Sequence, residues 1–281
     1  MKYIRGFLMA WGMFCWIPCP YKQWREEERK VMVAMLPLVG TGIGLVLCLI
    51  WWILSILHAG QFIAAAILTA SYFLLTGFIH LDGYMDCSDA ILPRHAEQET
   101  RIRILKDSHS GAFAMVCLSL MLIIFFGAMM EIAPAISIDN CLLLVLIFTA
   151  SRFTSAVCVL NCAPMKTSQY AEASNTSKVD KTESDTAKAR RKGAIIDTIP
   201  ALVILLVVLG ATEIVILDGS LWALVAEIYS NALAAIVILA AAITCKLDRK
   251  MLGGMSGDVS GHMITTAEMF GMAALGIIVN L

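Results

Sequence analysis

The 281-residue chain is strongly apolar, since 59% of its residues are hydrophobic and only 15% are charged. This composition excludes an ordinary soluble domain and predicts an all-α, polytopic integral membrane helix bundle that forms a single domain over residues 1–281. The formal net charge is -1, and nothing in the charge pattern resembles the basic surface that nucleic-acid binding requires.

Apolar stretches of about twenty residues, the length of a transmembrane helix, recur along the chain. They predict about seven spans, at roughly 33–57, 61–81, 111–130, 141–160, 194–217, 221–244 and 261–281. Before them, a short apolar run in residues 1–20 is interrupted by prolines and predicts an interfacial or re-entrant helix. Gly40, Gly42 and Gly44, in the first span, are typical of close packing between membrane helices.

Basic residues concentrate in four segments, residues 21–32, 82–110, 161–193 and 245–260. The positive-inside rule therefore places all four in the cytoplasm. Residues 161–193 are polar and rich in Ser, Thr and Lys, which predicts a flexible cytoplasmic loop, either a mobile lid or plain disorder. The nine cysteines form no Cys-x-x-Cys pair and are predicted to be small buried side chains in a reducing environment.

The sequence HLDGYMDCSD, at residues 80–89, carries three spaced aspartates. Asp82, Asp86 and Asp89 fall within an arc of roughly 60° on one helix, because they lie four and three positions apart. Like charges on one stripe repel each other, so the pattern favours a divalent cation, and a cation held by carboxylates usually holds phosphate too. The alternative is a solvated acidic helix end.

Two more cytoplasmic stretches suit phosphate chemistry. KDSHSGAF, at 106–113, places Lys106, Asp107 and Ser108 before the third span, where the serines would equally serve as helix caps. GGMSGDVSGH, at 253–262, places Gly257 and Asp258 in a glycine-rich turn that suits either close approach to a ligand or a flexible connection.

Two of the charged residues within the predicted spans suggest a buried polar site, Arg152 and Glu268. Arg152 lies roughly 12 Å into the bilayer, where an arginine faces a polar cavity and pairs with an acid or a phosphate, or else snorkels to the headgroups. Glu268 lies in the last span, and its expected partner is Arg152 or a ligand. With the aspartates, Arg152 predicts a cytoplasmic pocket for metal ions and a pyrophosphate, which are the requirements of phosphoryl transfer.

The segments HLDGYMDCSDA, LKDSHSGAFA, the pair Ser151–Arg152, SGDVSGH, IPCP and LPLVG together resemble the cobalamin synthase family of adenosylcobinamide-GDP ribazoletransferases over nearly the whole chain. The resemblance implies a multi-pass enzyme of the bacterial inner membrane whose active site faces the cytoplasm. It implies that α-ribazole, or its 5'-phosphate, is joined to adenosylcobinamide-GDP with release of GMP, and that Mg2+ is the cofactor.

The family's motifs fall on a defined set of residues of this chain. Metal ligands are expected at Asp82, Asp86 and Asp258, catalytic groups at Asp82, Asp89 and Asp107 (the base being Asp89 or Asp107), and substrate contacts at Lys106, Ser108, Arg152 and Gly257. Two features depart from the family: Ala90 stands where Gly is common, and the stretch APMKTSQYAEASNTS replaces a more acidic, glycine-containing one. The second departure puts in doubt any substrate contacts in 161–193.

Two other classes of protein remain as alternatives. A CDP-alcohol phosphotransferase also carries spaced aspartates on membrane helices, but its D-G-x-x-A-R pattern is not met, since Met85 and Asp86 follow Gly83 and Tyr84. A cation transporter would place acids at mid-membrane depth in several spans, whereas these acids cluster at one face.

Overall fold

The computed structural model describes residues 1–21, 23–94, 97–166, 168, 183–216 and 221–281. Over these ranges the chain is helical and contains no strand, which confirms the all-α prediction. A short 3-10 turn at Glu26–Glu28 precedes the second helix. In chain order the helices are α1 (Lys2–Phe14), α2 (Arg29–Ala34), α3 (Leu36–Ile56), α4 (Gln61–Leu75), α5 (Ile79–Ile91), α6 (Gln98–Leu105), α7 (Ala112–Ile132), α8 (Ile138–Asn161), α9 (Glu183–Ile216), α10 (Leu221–Leu252) and α11 (Gly257–Ile278).

The protein is a multi-pass membrane protein. In the described part of the chain five helices are long and apolar enough to cross a membrane, namely α3, α7, α8, the Glu227–Leu252 part of α10, and α11. A bent pair, α4 with α5, would add a sixth span. The span predicted at 194–217 corresponds to a shorter apolar stretch of α9, Ile196–Thr212, so the count of seven stays a prediction.

Two predicted segments are the loop at 161–193 and the short helix in residues 1–20. The flexible loop predicted at 161–193 falls largely on 167 and 169–182, which lie outside the described residues. From Glu183 onward the backbone is helical, and the flexible loop over 161–193 stays a prediction. At the N-terminus the predicted short helix is present as α1, and its interfacial position stays a prediction.

Residues 61–81 do not form the single straight span that their hydropathy predicts. α4 ends at Leu75, and α5 begins at Ile79 in a direction turned by 87°. Gly77 and Phe78 make this turn with φ angles of 58° and 62°, which glycine adopts freely and phenylalanine does not. Because of this turn α5 runs nearly perpendicular to α4.

The centre of the bundle is α8, which contacts α2, α3, α9, α10 and α11. Its packing against α3 depends on small residues: a Cβ on Gly40 would lie 2.2 Å from the Phe148 carbonyl oxygen, and one on Gly44 would lie 2.9 Å from the Val145 Cα. The prediction that these glycines serve helix packing is therefore confirmed.

Contacts between helix termini define one end of the bundle, which we call the site end. Here the start of α11 touches α5 at Gly83 and Asp258, and the start of α7 touches α5 at Gly111 and Asp89. The described parts of the segments 82–110, 161–193 and 245–260 connect helices at this end.

The opposite end is closed by different contacts. The Trp51 indole donates a hydrogen bond of 2.8 Å to the Ala133 carbonyl, and the Asn280 amide donates one of 3.0 Å to Glu131. The aspartates singled out in the sequence therefore lie together at one end, away from this closure.

Candidate functional site

The site is built where α5 and α11 cross with their backbones in contact. A Cβ on Gly83 would lie 2.8 Å from the Asp258 carbonyl oxygen, and one on Gly261 would lie 3.0 Å from the His80 carbonyl oxygen. Side chains larger than hydrogen would separate the helices, so the two glycines permit the crossing. The crossing joins the aspartates of residues 80–89 to the aspartate that follows the glycine-rich turn.

Asp82, Asp86 and Asp258 form what we call the acidic site. Asp82 is exposed, whereas Asp86 and Asp258 are half-buried. Their charges act on one another: Asp82 and Asp258 repel the Asp86 carboxylate, and Asp82 repels Asp258. Burial, together with the charges of Asp82, Asp258 and Asp89, raises the pKa of Asp86 to about 6. The structure thus brings the three residues predicted as metal ligands within electrostatic range of one another, and their role as ligands stays a prediction.

The donor chemistry of the acidic site fits a hard divalent cation. None of the ion pairs formed by the described residues neutralises any of the three carboxylates. Carboxylate oxygens are the ligands that Mg2+ prefers, and a doubly charged cation would remove the repulsion that raises the pKa of Asp86.

The start of α11 suits a phosphate group beside such a cation. Gly257 is the first residue of the helix, and the Ser256 hydroxyl caps it by accepting a hydrogen bond of 3.2 Å from the Val259 N–H. A helix N-terminus carries partial positive charge and unpaired N–H groups, both of which attract phosphate. Gly257 lies at this helix start, and its contact with substrate stays a prediction.

The glycine-rich turn before α11 packs against another segment of the chain, whereas the sequence suggested close approach to a ligand or a flexible connection. A Cβ on Gly254 would lie 2.5 Å from the Met165 nitrogen, so the turn packs against the segment that follows α8. The Met255 N–H donates to the Ala163 carbonyl, and the Met165 N–H donates to the Met255 carbonyl, both at 2.9 Å. The turn is a fixed connection that positions the start of α11.

Asp89 has a structural partner. Its carboxylate oxygens accept hydrogen bonds from the backbone N–H groups of Gly111, at 2.5 Å, and Ala114, at 2.9 Å. These are unpaired donors of the first turn of α7, so Asp89 caps that helix from a neighbouring one. The prediction that serines of 106–113 cap α7 is wrong, because its N-cap is Gly111 and the capping side chain comes from α5. The catalytic role of Asp89 stays a prediction.

Lys106, Asp107 and Ser108 are exposed in the connection between α6 and α7. The Asp107 carboxylate accepts from the His109 N–H at 3.1 Å and lies 2.7 Å from the His109 ring nitrogen. These contacts lower the pKa of Asp107. Lys106 and Asp107 line a groove with Glu99 and Arg103 of α6, a groove distinct from the acidic site.

Arg152 belongs to a buried polar network within the bundle. Its Nη1 pairs with Glu268, and both side chains are fully buried. Glu268 also accepts hydrogen bonds from the Tyr72 hydroxyl and, at 2.6 Å, from the Ser151 hydroxyl. Of the two partners considered for Glu268, the structure shows Arg152. The predicted contact between Arg152 and substrate stays a prediction.

One polar pair beside the acidic site was not predicted. His262 follows Asp258 by one helical turn, and its Nδ1 lies 2.7 Å from the buried Asp248 carboxylate of α10. The Cys87 thiol, next to Asp86, completes a group whose ligand atoms lie within 4.8 Å of one another. Spacing from Asp258 could have indicated His262, because positions i and i+4 share a helix face. Asp248 has no such signal, since it sits among basic residues of another helix.

A family model for cobalamin-5-phosphate synthase matches residues 6–276. The chain belongs to the cobalamin-5-phosphate synthase family. The family resemblance stated from the sequence motifs is thereby confirmed.

Curated relatives cover the chain nearly end to end. A protein of Lachnoclostridium phytofermentans is 28% identical over 99% of this chain and 95% of its own length. One of Clostridium perfringens is 30% identical over 98% of this chain and 99% of its own, and one of Clostridium botulinum is 30% identical over 95% of each. All three are named adenosylcobinamide-GDP ribazoletransferase. No solved structure matches the chain.

Proposed function

We propose that this protein is a Mg2+-dependent adenosylcobinamide-GDP ribazoletransferase whose reaction takes place at the acidic site. The observation that carries the proposal is the crossing of α5 and α11, which gathers Asp82, Asp86 and Asp258 beside a helix N-terminus. Family membership and the names of the relatives support the choice of substrates.

In the proposed reaction a ribose hydroxyl of α-ribazole, or of its 5'-phosphate, attacks the phosphorus atom attached to the corrinoid arm of adenosylcobinamide-GDP. The hydroxyl loses its proton, a new P–O bond forms, and the bond to the departing GMP breaks. The products are adenosylcobalamin, or its 5'-phosphate, and GMP.

Two parts of the acidic site would share the work of binding. Asp82, Asp86 and Asp258 would hold Mg2+, which supplies positive charge to the phosphate oxygens. The N–H groups at the start of α11, including that of Gly257, would position the pyrophosphate.

The remaining roles lie on the α5–α7 segment. Of the two bases considered, Asp107 is the less restrained, because both oxygens of Asp89 cap α7. The bound substrate would have to extend from the acidic site to the connection between α6 and α7, where exposed Asp107 would accept the hydroxyl proton. Lys106 and Ser108, in the same connection, would contact phosphate oxygens of the substrate.

An apolar groove beside Asp82 supports a bulky, amphipathic substrate. It lies where the end of α1 meets the bend between α4 and α5, and Met13, Trp16 and Phe78 line it together with Asp82. Trp16 and Phe78 are both exposed, so their rings are available to a flat heterocyclic or corrin surface.

The site end would face the cytoplasm of a bacterial inner membrane. The basic segments meet at this end, and the positive-inside rule assigns such segments to the cytoplasm. Nucleotide-activated and phosphorylated substrates are cytoplasmic compounds, which agrees with this orientation.

The test is an assay of the purified, membrane-reconstituted protein with adenosylcobinamide-GDP and α-ribazole, with GMP release as the readout. We expect GMP release that requires Mg2+, and its loss in a folded Asp82→Asn variant. Asp139→Asn is the matched control, because Asp139 is an exposed carboxylate at the opposite end of the bundle. An active Asp82→Asn variant would count against the proposal.

The same preparation separates the two alternatives. CMP release from CDP-diacylglycerol and an alcohol would identify a CDP-alcohol phosphotransferase, and cation flux without GMP release would identify a transporter. Restored cobinamide-dependent growth of a cell that lacks its own synthase would support the proposed reaction.

A further inference from the structure

Three cysteine thiols converge at the site end, outside the acidic site. Cys158 lies in the last turn of α8, Cys162 is the residue that caps this helix, and Cys245 approaches from α10. Their three sulfur atoms all lie within 4.8 Å of one another, and none takes part in a disulfide. Sequence spacing did not predict this cluster, because two of the thiols sit on one helix and the third is more than eighty residues away.

A basic side chain lies close to one of the three sulfur atoms. The positive charge of Arg249, one helical turn after Cys245, acts on the Cys162 sulfur. A nearby cation stabilises a thiolate, which is the form of cysteine that binds metal ions. In addition, the Met255 thioether sulfur lies 4.0 Å from the Cys245 sulfur, so a fourth soft donor borders the group.

We propose that Cys158, Cys162 and Cys245 form a binding site for Zn2+, separate from the acidic site. Thiolates select soft or borderline metals such as zinc, whereas carboxylates select Mg2+, so the two sites differ in the metal they take. Zn–S bonds of about 2.3 Å in a tetrahedron place sulfur atoms about 3.8 Å apart, so the thiols would need to approach by about 1 Å at most. Binding replaces S–H bonds by S–Zn bonds and releases the thiol protons to solvent.

The position of the cluster indicates what the metal would do. Cys158 and Cys162 are on α8 and Cys245 is on α10, so a bound ion would tie the two helices together. The bonds of Met255 to the segment after Cys162 lie beside the cluster and lead directly into α11. Zn2+ would therefore stabilise the connection that presents Asp258, without contacting the substrate.

The test uses full-length protein in detergent, reduced and freed of metal, with Cd2+ as a spectroscopic substitute for Zn2+. We expect one Cd2+ per chain with a sulfur-to-cadmium charge-transfer band, displaced by Zn2+ and unaffected by excess Mg2+. Cys162→Ser should lose the band, and Cys117→Ser, a cysteine of α7 outside the cluster, should keep it. Asp82→Asn should also keep it, which separates this site from the proposed Mg2+ site.

Thiol alkylation of the wild-type protein gives a second readout that needs no variant. Zn2+ should protect Cys158, Cys162 and Cys245 from alkylation, as identified by peptide mass spectrometry, and should leave Cys117 unprotected. The proposal is overturned if no charge-transfer band appears, if Cys162→Ser binds Cd2+ like the wild type, or if Zn2+ protects none of the three thiols.

Discussion

Replacing Gly83 by alanine tests how the crossing of α5 and α11 builds the acidic site. The added Cβ would lie 2.8 Å from the Asp258 carbonyl oxygen and 3.0 Å from the Asp258 Cα. Ordinary van der Waals contact begins near 3.4 Å, so the helices must separate by about 0.6 Å. The atoms in the way belong to backbone, and no flexible side chain can move aside to relieve the contact.

The expected result is a loss of both stability and metal affinity. Overpacking of this kind costs about 1–3 kcal/mol of unfolding free energy. Mg2+ requires near-ideal octahedral geometry, so moving Asp258 away from Asp82 and Asp86 should raise the Mg2+ concentration for half-maximal GMP release by about tenfold or more. The assays are thermal unfolding in detergent and Mg2+-dependent GMP release.

Gly127→Ala is the matched control. Gly127 lies inside α7, and a Cβ there would meet no atom within 4 Å. This variant should gain up to about 1 kcal/mol from helix propensity and keep its Mg2+ dependence. If Gly83→Ala matches Gly127→Ala in stability and in Mg2+ dependence, the close crossing does not position the metal ligands.

Three further predictions address single residues. Asp89→Ala should lower stability by about 1 kcal/mol through loss of the α7 cap. Asp89→Asn should keep only part of the cap, because an amide has one acceptor oxygen where the carboxylate uses two. Turnover that is lost in folded Asp89→Asn but retained in Asp89→Ala would count against a role of Asp89 as the base. Because the pKa of Asp86 is raised above its unfolded value of 3.8 to about 6, the metal-free protein should become less stable as the pH rises from 4 through 6. Protonation of Asp86 should likewise weaken Mg2+ binding below pH 6. If Asp86→Asn keeps the pH dependence of stability and that of Mg2+ binding, Asp86 is not the group responsible. Glu268→Ala leaves Arg152 buried without its partner and should lower the free energy of unfolding by about 3–5 kcal/mol, as measured by denaturant unfolding. A loss of stability smaller than that caused by replacing an exposed acid such as Asp139 would contradict the assigned pair.

The acidic site could be predicted from sequence because its parts carry local signals. Asp82 and Asp86 share a helix face by spacing, Asp258 follows a glycine-rich turn, and the basic segments place all of them at one membrane face. The depth of Arg152 in an apolar span indicated that its charge needs a partner. Glu268 could be paired with it from the sequence, because Arg152 was one of the two partners expected for Glu268.

Other features depend on tertiary contacts that no local pattern records. The 87° turn after α4 interrupts a continuously apolar stretch and is made by two residues with positive φ, one of them Phe78. The cap of α7 comes from Asp89 on another helix, and the thiol cluster joins α8 to α10. Spacing along one helix cannot indicate such pairings, because they depend on how separate helices are placed.

Mg2+ binding by the purified protein and its aspartate variants tests the central claim most directly. Isothermal titration of the substrate-free protein should show Mg2+ binding that weakens about tenfold or more in each of Asp82→Asn, Asp86→Asn and Asp258→Asn, and that stays unchanged in Asp139→Asn. Wild-type affinity in any of the three variants would contradict a metal site shared by α5 and α11.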